Sequence, residues 1–216
     1  MTKIIFTSDT HCQHAQVKIE QCDILIHCGD STATGTIPEI KSFLSWFEQQ
    51  PAAFKLCCAG NHDFLFERDP VMARMLLSEH PTIDYLQDSM NHSMIRLPGD
   101  LKIYGSPHQK IFHNWAFNLS DSELKKKWEM IPEGIDILVT HSPPYGIMDF
   151  AQSGDHIGCR SLKYEVMNRV KPKIHVFGHN HEGYGTYKFE DTLYINASTC
   201  DRKYRPTNPP IIVELP

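Results

Sequence analysis

Several features that would place this protein outside the cytoplasm are missing from its sequence. No apolar run approaches the ~18 residues needed to cross a bilayer, and the stretch from Met1 to Ser8 is too short for the apolar core of a signal peptide. The seven cysteines are an odd number and include no C-x-x-C pair, so a zinc knuckle or a secreted disulfide framework has little support. We therefore expect a reduced, cytoplasmic, soluble protein with no membrane association.

Basic sequence is also scarce. The longest basic run is Lys125-Lys126-Lys127, and 21 basic against 26 acidic residues give a formal net charge of −5. Because a protein that follows a phosphate backbone needs a basic surface, we expect no binding to duplex nucleic acid.

Histidine, in contrast, is abundant: the chain has 13, and several lie beside Asp, Asn or Gly. Hydrophobic residues make up 41% of the chain and aromatic residues 10%, which is enough for a folded core. No repeat, low-complexity segment or linker interrupts the sequence. Residues 1–216 are therefore predicted to form a single domain.

Short apolar runs alternate with helical patterns along the chain, which predicts a mixed α/β fold. Strands are predicted over 3–7, 23–28, 53–59, 135–140, 173–177, 184–189, 192–197 and 211–215, and a hairpin over 92–97 and 101–105. Helices are predicted to begin at Thr36, Asp69 and Ser120, and a fourth to cover 159–170. The first has a capping-box pattern and five apolar residues on one face: Ile37, Ile40, Phe43, Leu44 and Phe47.

Five polar clusters each follow a predicted strand: Asp9-Thr10-His11, Gly29-Asp30, Gly60-Asn61-His62-Asp63, Thr140-His141 and Gly178-His179-Asn180-His181. In layered α/β folds the loops at the carboxyl ends of strands converge on one edge, where ligands bind. The clusters would bring carboxylate, amide and imidazole groups together without a thiolate, a set that suits Mn²⁺, Fe or Zn²⁺. The glycines before Asp30, Asn61 and His179 fit tight turns that aim the next side chain.

Each cluster taken singly has an ordinary explanation, because an isolated Asp-x-His or His-x-His is more often a turn than a metal site. His27 and His175 lie inside strands and are predicted to be packed or half-exposed residues. The remaining histidines have no such neighbours and receive no functional assignment: His14, His80, His92, His108, His113 and His156. Five clusters in a fixed order, each at a strand end, are poorly explained by coincidence.

The order D-x-H, G-D, G-N-H, a lone H and G-H-x-H resembles that of the calcineurin-like metallophosphoesterases. Segments 135–141, 175–185, 195–200 and 206–212 are similar to a narrower group, the metallophosphoesterase-domain-containing proteins of animal brain and their microbial relatives. The similarity covers essentially the whole chain and is weakest around 12–22 and 106–130. It implies a four-layer α/β/β/α sandwich of two mixed β-sheets flanked by helices, with a two-metal centre at one sheet edge.

The resemblance also implies two divalent metal ions per chain, with manganese as the first expectation and iron, zinc or cobalt as alternatives. Asp30 is expected to bridge the two ions. The other expected ligands form one set for each ion: Asp9, His11 and His181 for the first, and Asn61, His141 and His179 for the second. Some animal members have glycine in place of His179, which weakens their second site, whereas this chain keeps all seven expected ligands.

Catalysis in such a centre is expected to proceed by in-line attack of a metal-bridging hydroxide on phosphorus, without a covalent enzyme intermediate. His62 resembles the family's acid that faces the substrate, where it hydrogen-bonds phosphoryl oxygens or protonates the leaving alkoxide. Asn61 is expected to help the metals take up charge on the phosphoryl oxygens. Asp63 either orients His62 or is an ordinary turn aspartate.

The expected activity is a metal-dependent phosphodiesterase acting on cyclic nucleotides or similar small phosphodiesters. The alternatives are a phosphomonoesterase or nucleotidase with the same metal centre and a non-catalytic nucleotide-binding protein. No Arg or Lys lies within four residues of Asp30, Asn61, His141 or His179, which favours a singly charged diester over a monoester with nearly two charges. Arg160 and Arg202 are candidates to reach the site from other loops.

Four aromatic residues in loops near the clusters are candidates to stack on a nucleotide base: Phe112, Trp115, Phe117 and Tyr145. The alternative for Trp115 and Phe117 is that they only pack their loop against the core.

Overall fold

Two mixed β-sheets, packed face to face and covered by helices, form the body of the molecule. The computed structural model of the chain describes residues 1–91 and 96–216. In chain order its strands are β1 (Thr2–Thr7), β2 (Cys22–His27), β3 (Ala52–Cys57), β4 (Ile83–Tyr85), β5 (Ser89–Met90), β6 (Ile103–Ser106), β7 (Gln109–Lys110), β8 (Asn118–Leu119), β9 (Ile137–Thr140), β10 (Ile174–Phe177), β11 (Gly185–Phe189), β12 (Thr192–Asn196) and β13 (Ile211–Leu215). Its α-helices are α1 (Ile37–Glu48), α2 (Phe64–Arg68), α3 (Pro70–Ser78), α4 (Asp121–Glu129) and α5 (Arg160–Glu165).

The first sheet has the strand order β13-β1-β2-β3-β4, and the second β11-β12-β10-β9-β6-β5. In the first, β1 to β4 are parallel and β13 is antiparallel to β1. In the second, β12, β10, β9 and β6 are parallel, with antiparallel strands at both edges. Thr7 pairs with His27 and His27 with Cys57, so the carboxyl ends of the three strands line up at one edge.

Alternating residues of the two sheets meet in a buried apolar layer. Ile4, Phe6 and Ile26 of the first sheet and Val139 and Val176 of the second belong to this cluster. The residues between them face outward and are covered by α1 and α3 on the first sheet and by α4 and α5 on the second. The result is the four-layer α/β/β/α sandwich that the family resemblance implies.

Helix starts follow the capping chemistry in the sequence. Ser120 and Glu123 form a capping box at α4, Thr36 and Glu39 form one at α1, and the Asp69 carboxylate accepts a 3.0 Å hydrogen bond from the backbone nitrogen of Met72 at α3. The predicted apolar face of α1 is confirmed for Ile40, Phe43, Leu44 and Phe47, whereas Ile37, the first residue of the helix, is exposed. The helix predicted over 159–170 is α5 followed by one π-helical turn, Val166–Val170.

The predicted hairpin differs from the structure. Its second strand is confirmed as β6, but the antiparallel partner of β6 is β5, in which Ser89 pairs with Gly105. Residues 92–95 of the predicted first strand lie outside the described residues, and Pro98–Asp100 forms a short 3₁₀ turn. Among residues 1–91 and 96–216, no helix has both the length and the apolar content that a bilayer crossing requires.

Candidate metal centre

The five polar clusters all lie at the aligned edge of the sandwich. Three follow β1, β2 and β3 of the first sheet, and two follow β9 and β10 of the second. Because both sheets end here on parallel strands, the loops that carry the clusters face one another across the gap between the sheets.

The side chains of all seven predicted ligands meet there. Asp30 lies at the middle, with its Oδ2 atom 3.3 Å from Nε2 of His141 and 3.8 Å from Nε2 of His11. On one side, Oδ1 of Asp9 is 3.4 Å from Nε2 of His181, and the Nε2 atoms of His11 and His181 are 3.2 Å apart.

On the other side of Asp30, an amide oxygen and two imidazoles converge. Oδ1 of Asn61 lies 2.9 Å from Nε2 of His141 and 2.8 Å from Nδ1 of His179. The carboxylate and imidazole donors form three groups in which all ligand atoms lie within 4.8 Å of one another. Asp9 with His11 and His181 is one, Asp30 with His141 and His179 is another, and His11 with Asp30 and His62 links the two. Two neighbouring positions are therefore surrounded by oxygen and nitrogen donors.

Backbone carbonyl groups orient several of the imidazoles. Nδ1 of His141 donates to the carbonyl oxygen of Cys28 at 3.0 Å, and Nδ1 of His181 donates to that of Asp201 at 3.0 Å. With a proton held on Nδ1, Nε2 faces the centre and becomes a metal ligand once it gives up its own proton, which is the arrangement usual for metal-binding histidines.

The loops reach this geometry through strained backbone. Asp9, His11, Asp30 and His179 have φ values of +52°, +41°, +54° and +64°, a region that residues other than glycine seldom occupy. Gly178 is required for close approach, because a Cβ atom there would collide with Oδ2 of Asp9. The tight turn predicted at this glycine therefore requires glycine because the Asp9 carboxylate lies directly against it.

Electrostatics favour a cation at the centre. Asp9 and Asp30 are buried, and their ion-pair partners among the described residues are all histidines. Burial opposes protonation of His141 and His181, but the charge and hydrogen bonding of Asp30 and Asp9, respectively, outweigh it and raise the pKa of each imidazole to about 9. Protons thus balance the two carboxylates, and a pair of divalent cations suits the same donors.

His62 lies at the rim of the centre. Its backbone nitrogen donates to Oδ1 of Asp30 at 2.8 Å, and its Nδ1 donates to the carbonyl oxygen of Ala33 at 2.7 Å. Nε2 lies 4.0 Å from Oδ2 of Asp30, and the ring packs against Trp115 with centroids 4.1 Å apart. The imidazole is therefore held with one nitrogen toward the centre.

Asp63 does not orient the His62 ring, which corrects that part of the sequence interpretation. Its buried carboxylate accepts hydrogen bonds from Ser31, Thr32 and the backbone nitrogen of Gly60, at 2.7–3.3 Å. The ring of His62 has the Ala33 carbonyl as its partner instead. Asp63 joins the loop that carries Asp30 to the loop that carries Asn61.

A cavity of about 650 Å³ opens onto the centre and is lined at its base by Asp30, Asn61, His179 and His181. Of the four aromatic candidates, Phe112 and Trp115 line it. Phe117 instead packs in the core beneath α2 and α3, and Tyr145 lies under the guanidinium of Arg160, 3.6 Å from the ring centroid.

Two basic residues reach the cavity from segments distant in sequence. Arg202 and Lys110 line its wall, and Nε of Arg202 lies 2.8 Å from Oε1 of Glu182. Sequence reasoning named Arg202 as a candidate and missed Lys110. It also missed Tyr204, whose ring packs 4.8 Å from that of His11. None of these residues stands beside a recognisable motif.

A family model for calcineurin-like phosphoesterases matches residues 2–183. The chain belongs to this family. Metallophosphoesterase domain-containing protein 1 of Homo sapiens is 38% identical over 237 aligned positions, which cover 100% of this chain and 71% of the human protein. UPF0046 protein T07D4.2 of Caenorhabditis elegans is 34% identical over 96% of this chain and 58% of its own.

The fold of the family is also found in solved structures. The crystal structure of TT1561 of Thermus thermophilus matches with a TM-score of 0.59 at 12% identity and covers 90% of this chain and 88% of the other. Another crystal structure has a TM-score of 0.68, also at 12% identity, with 90% of each chain covered. As a calcineurin-like phosphoesterase, the protein is assigned to the phosphoester hydrolases, a family in which divalent metal ions are implied, and its His/Asp clusters fit such ions.

Proposed function

We propose that this protein is a two-metal phosphodiesterase that hydrolyses cyclic nucleotides or similar small phosphodiesters in the cytoplasm. The observation that supports it most strongly is the convergence of six O and N donor residues around Asp30, next to a cavity of about 650 Å³. In this proposal Asp9, His11 and His181 would hold one ion, Asn61, His141 and His179 would hold the other, and Asp30 would be a ligand of both. Manganese is the first choice, with iron, zinc or cobalt as alternatives.

When bound, a pair of divalent cations supplies Lewis acidity at the phosphoryl oxygens and activates water for attack. The protein itself positions the side chains of His62 and Asn61 beside the phosphoryl group. His62 keeps one proton on Nδ1 through the Ala33 carbonyl, so Nε2 is the atom that hydrogen-bonds a phosphoryl oxygen or delivers a proton to the leaving group. Asn61 lies between His141 and His179, where its amide contributes to charge stabilisation beside the phosphoryl group.

The charge pattern favours a diester. Lys110 and Arg202 line the cavity, yet the ion pairs made by Asp9 and Asp30 within the described residues involve histidine alone. A phosphodiester carries one negative charge at neutral pH and a monoester nearly two, so a monoesterase benefits more from Arg or Lys beside the scissile group. Arg202 is already paired with Glu182, which leaves less of its charge for a substrate.

The test is reconstitution of the chelator-treated protein with Mn²⁺, Fe²⁺, Co²⁺, Zn²⁺ or Mg²⁺. Turnover of bis(4-nitrophenyl) phosphate, 4-nitrophenyl phosphate and 2′,3′- and 3′,5′-cyclic nucleotides is then measured for each metal. We expect the highest kcat/KM for a diester with Mn²⁺. A monoester preference with every active metal would replace the phosphodiesterase by the monoesterase alternative. Metal binding and nucleotide binding without turnover of any ester would support a non-catalytic nucleotide-binding protein instead.

A further inference from the structure

A second imidazole, held by a buried carboxylate, stands in the cavity wall. Nδ1 of His156 lies 2.7 Å from Oδ1 of Asp149, and the other oxygen of Asp149 accepts a 3.0 Å hydrogen bond from the backbone nitrogen of Gly158. Asp149 is 1% exposed, whereas the His156 side chain is 41% exposed and lines the same cavity as His62. The buried Asp149 carboxylate thus holds an imidazole ring that remains accessible from the cavity.

The loop between β9 and α5 holds this ring in place. Phe150 and His156 form an antiparallel bridge, and the backbone nitrogen of Ile157 donates to the carbonyl oxygen of Asp149 at 3.1 Å. The His156 ring packs between Tyr145 and Phe150, with centroid distances of 5.0 and 5.2 Å. These contacts leave the imidazole little rotational freedom. The entropy cost of ordering the ring when a substrate binds is therefore small.

The hydrogen bond to Asp149 determines which ring atom faces the cavity. An ionised carboxylate only accepts hydrogen bonds, so the proton of the contact is on Nδ1 of His156. Nε2 then remains for a ligand, and no described residue forms a hydrogen bond with it. Nε2 accepts a hydrogen bond in the neutral ring and donates one in the protonated ring, so it suits hydroxyl, imide and carbonyl groups.

Two other histidines outside the centre also pair with carboxylates. His80 lies 2.7 Å from Glu48, and His108 lies 2.9 Å from Asp88, but neither lines the cavity. Of these three pairs, only that of Asp149 and His156 places its histidine in the cavity wall.

We propose that His156, held by Asp149, is a specificity-determining residue that hydrogen-bonds through Nε2 to the ester substituent of the substrate that lies away from the metal centre. The proposal rests on the proposed phosphodiesterase function. It predicts that a nucleoside substituent, which has hydroxyl, imide and carbonyl groups, gains from His156, whereas a plain aryl substituent does not.

The test compares two diesters that release the same leaving group. Thymidine 5′-(4-nitrophenyl) phosphate carries a nucleoside as its second substituent, and phenyl 4-nitrophenyl phosphate carries a phenyl ring. With Mn²⁺, we expect His156→Ala to raise KM about fivefold or more for the nucleoside ester, as expected for the loss of one hydrogen bond, and to leave kcat and both constants of the phenyl ester within about twofold. Asp149→Ala should give the same selective rise in KM, because it frees the ring.

Two further variants distinguish a direct hydrogen bond from His156 to the substrate from an indirect effect on the fold. His156→Gln keeps a polar end and should restore part of the affinity, and His113→Ala, an exposed histidine outside the cavity lining, should change neither substrate. Unchanged KM for the nucleoside ester in His156→Ala, or an equal change for both esters, overturns the inference. Absence of turnover by the unmodified protein refutes the proposed function instead. In that case equal affinity of the unmodified protein and His156→Ala for thymidine 5′-phosphate overturns the inference about His156.

Discussion

The backbone nitrogen of His62 donates a hydrogen bond of 2.8 Å to Oδ1 of Asp30. The residue proposed to bridge the metals thus fixes the position of the residue proposed to meet the substrate. Because the donor is a main-chain group, replacement of the His62 side chain leaves this contact intact, so the two roles can be tested separately.

We expect His62→Ala to retain both metal ions and to lose activity in a way that depends on the leaving group. For a cyclic nucleotide, whose alkoxide leaving group needs a proton, the loss of a general acid lowers kcat by about 10²–10⁴. A nitrophenolate leaving group needs less protonation and should lose less. Metal analysis together with a comparison of the two ester types measures this difference.

Equal losses for both leaving groups would show that His62 mainly stabilises charge on the phosphoryl oxygens. Loss of metal from His62→Ala would contradict the placement of this residue outside the ligand set.

Asp30→Ala should abolish turnover and reduce bound metal to one equivalent or less. Within residues 1–91 and 96–216 no other carboxylate links the two groups of donors, since the ion pairs of Asp9 are with His11 and His181 on one side. Without the bridge, two cations would repel each other across the centre. Elemental analysis after dialysis measures the metal, with Asp155→Ala as control, because Asp155 lines the cavity outside the seven donors. Two equivalents retained by Asp30→Ala would refute the bridging role.

The parts of the fold that follow from local pattern were predictable from the sequence. Short apolar runs became the central strands, and capping residues mark the starts of α1, α3 and α4. The two-residue strands β5, β7 and β8 are too short to show alternation, and the five-residue α2 is too short to show a helical period. Their existence depends on contacts with distant segments.

The site, like the fold, has some residues that could be predicted from the sequence and others that could not. Its proposed ligands were predictable because each follows a strand, and strand ends converge. Tyr204 and the pair Asp149–His156 were not, since they come from irregular loops whose paths are determined by packing. Lys110 was not either, since β7, which carries it, is only two residues long. The role of Asp63 needed the structure as well, because its partners Ser31 and Thr32 lie about thirty positions away in the chain.

Asp63→Ala is expected to act on stability more than on chemistry. It removes a buried carboxylate that Ser31, Thr32 and Gly60 all use, so the free energy of unfolding should fall by about 3 kcal/mol. Urea denaturation of the metal-free protein measures this loss, and the exposed Asp155→Ala should stay within about 0.5 kcal/mol. An unchanged midpoint combined with lost turnover would instead restore a catalytic role for Asp63.

Asp88 offers a test of stability that lies away from the metal centre. Its carboxylate accepts hydrogen bonds from Ser106 at 2.7 Å, His108 at 2.9 Å and Lys127 at 2.5 Å, and thereby joins the ends of β5 and β6 to α4. Burial opposes ionisation of Asp88, but these donors outweigh it and hold the pKa of the carboxyl well below its ordinary value.

The sign of the pH dependence follows from that direction. Because the pKa of Asp88 is lower in the folded chain than in the unfolded chain, the unfolded state takes up the proton first as the pH falls. The stabilisation is therefore complete above the ordinary aspartate pKa of about 4 and is lost progressively as the pH falls toward the folded-state pKa. At pH 7, Asp88→Asn should lower the free energy of unfolding by about 2 kcal/mol, because it weakens hydrogen bonds to a charged acceptor.

Urea denaturation of the unmodified protein and Asp88→Asn between pH 7 and pH 3 measures this effect, and the gap between the two should narrow below about pH 4. Asp100→Asn is the matched control. Asp100 pairs with Arg96 at 2.8 Å, but its side chain is 70% exposed, and such surface pairs contribute little to stability because solvent screens them. A gap for Asp88→Asn that stays constant down to pH 3 would show that its donors act through packing and not through the charge of the carboxylate.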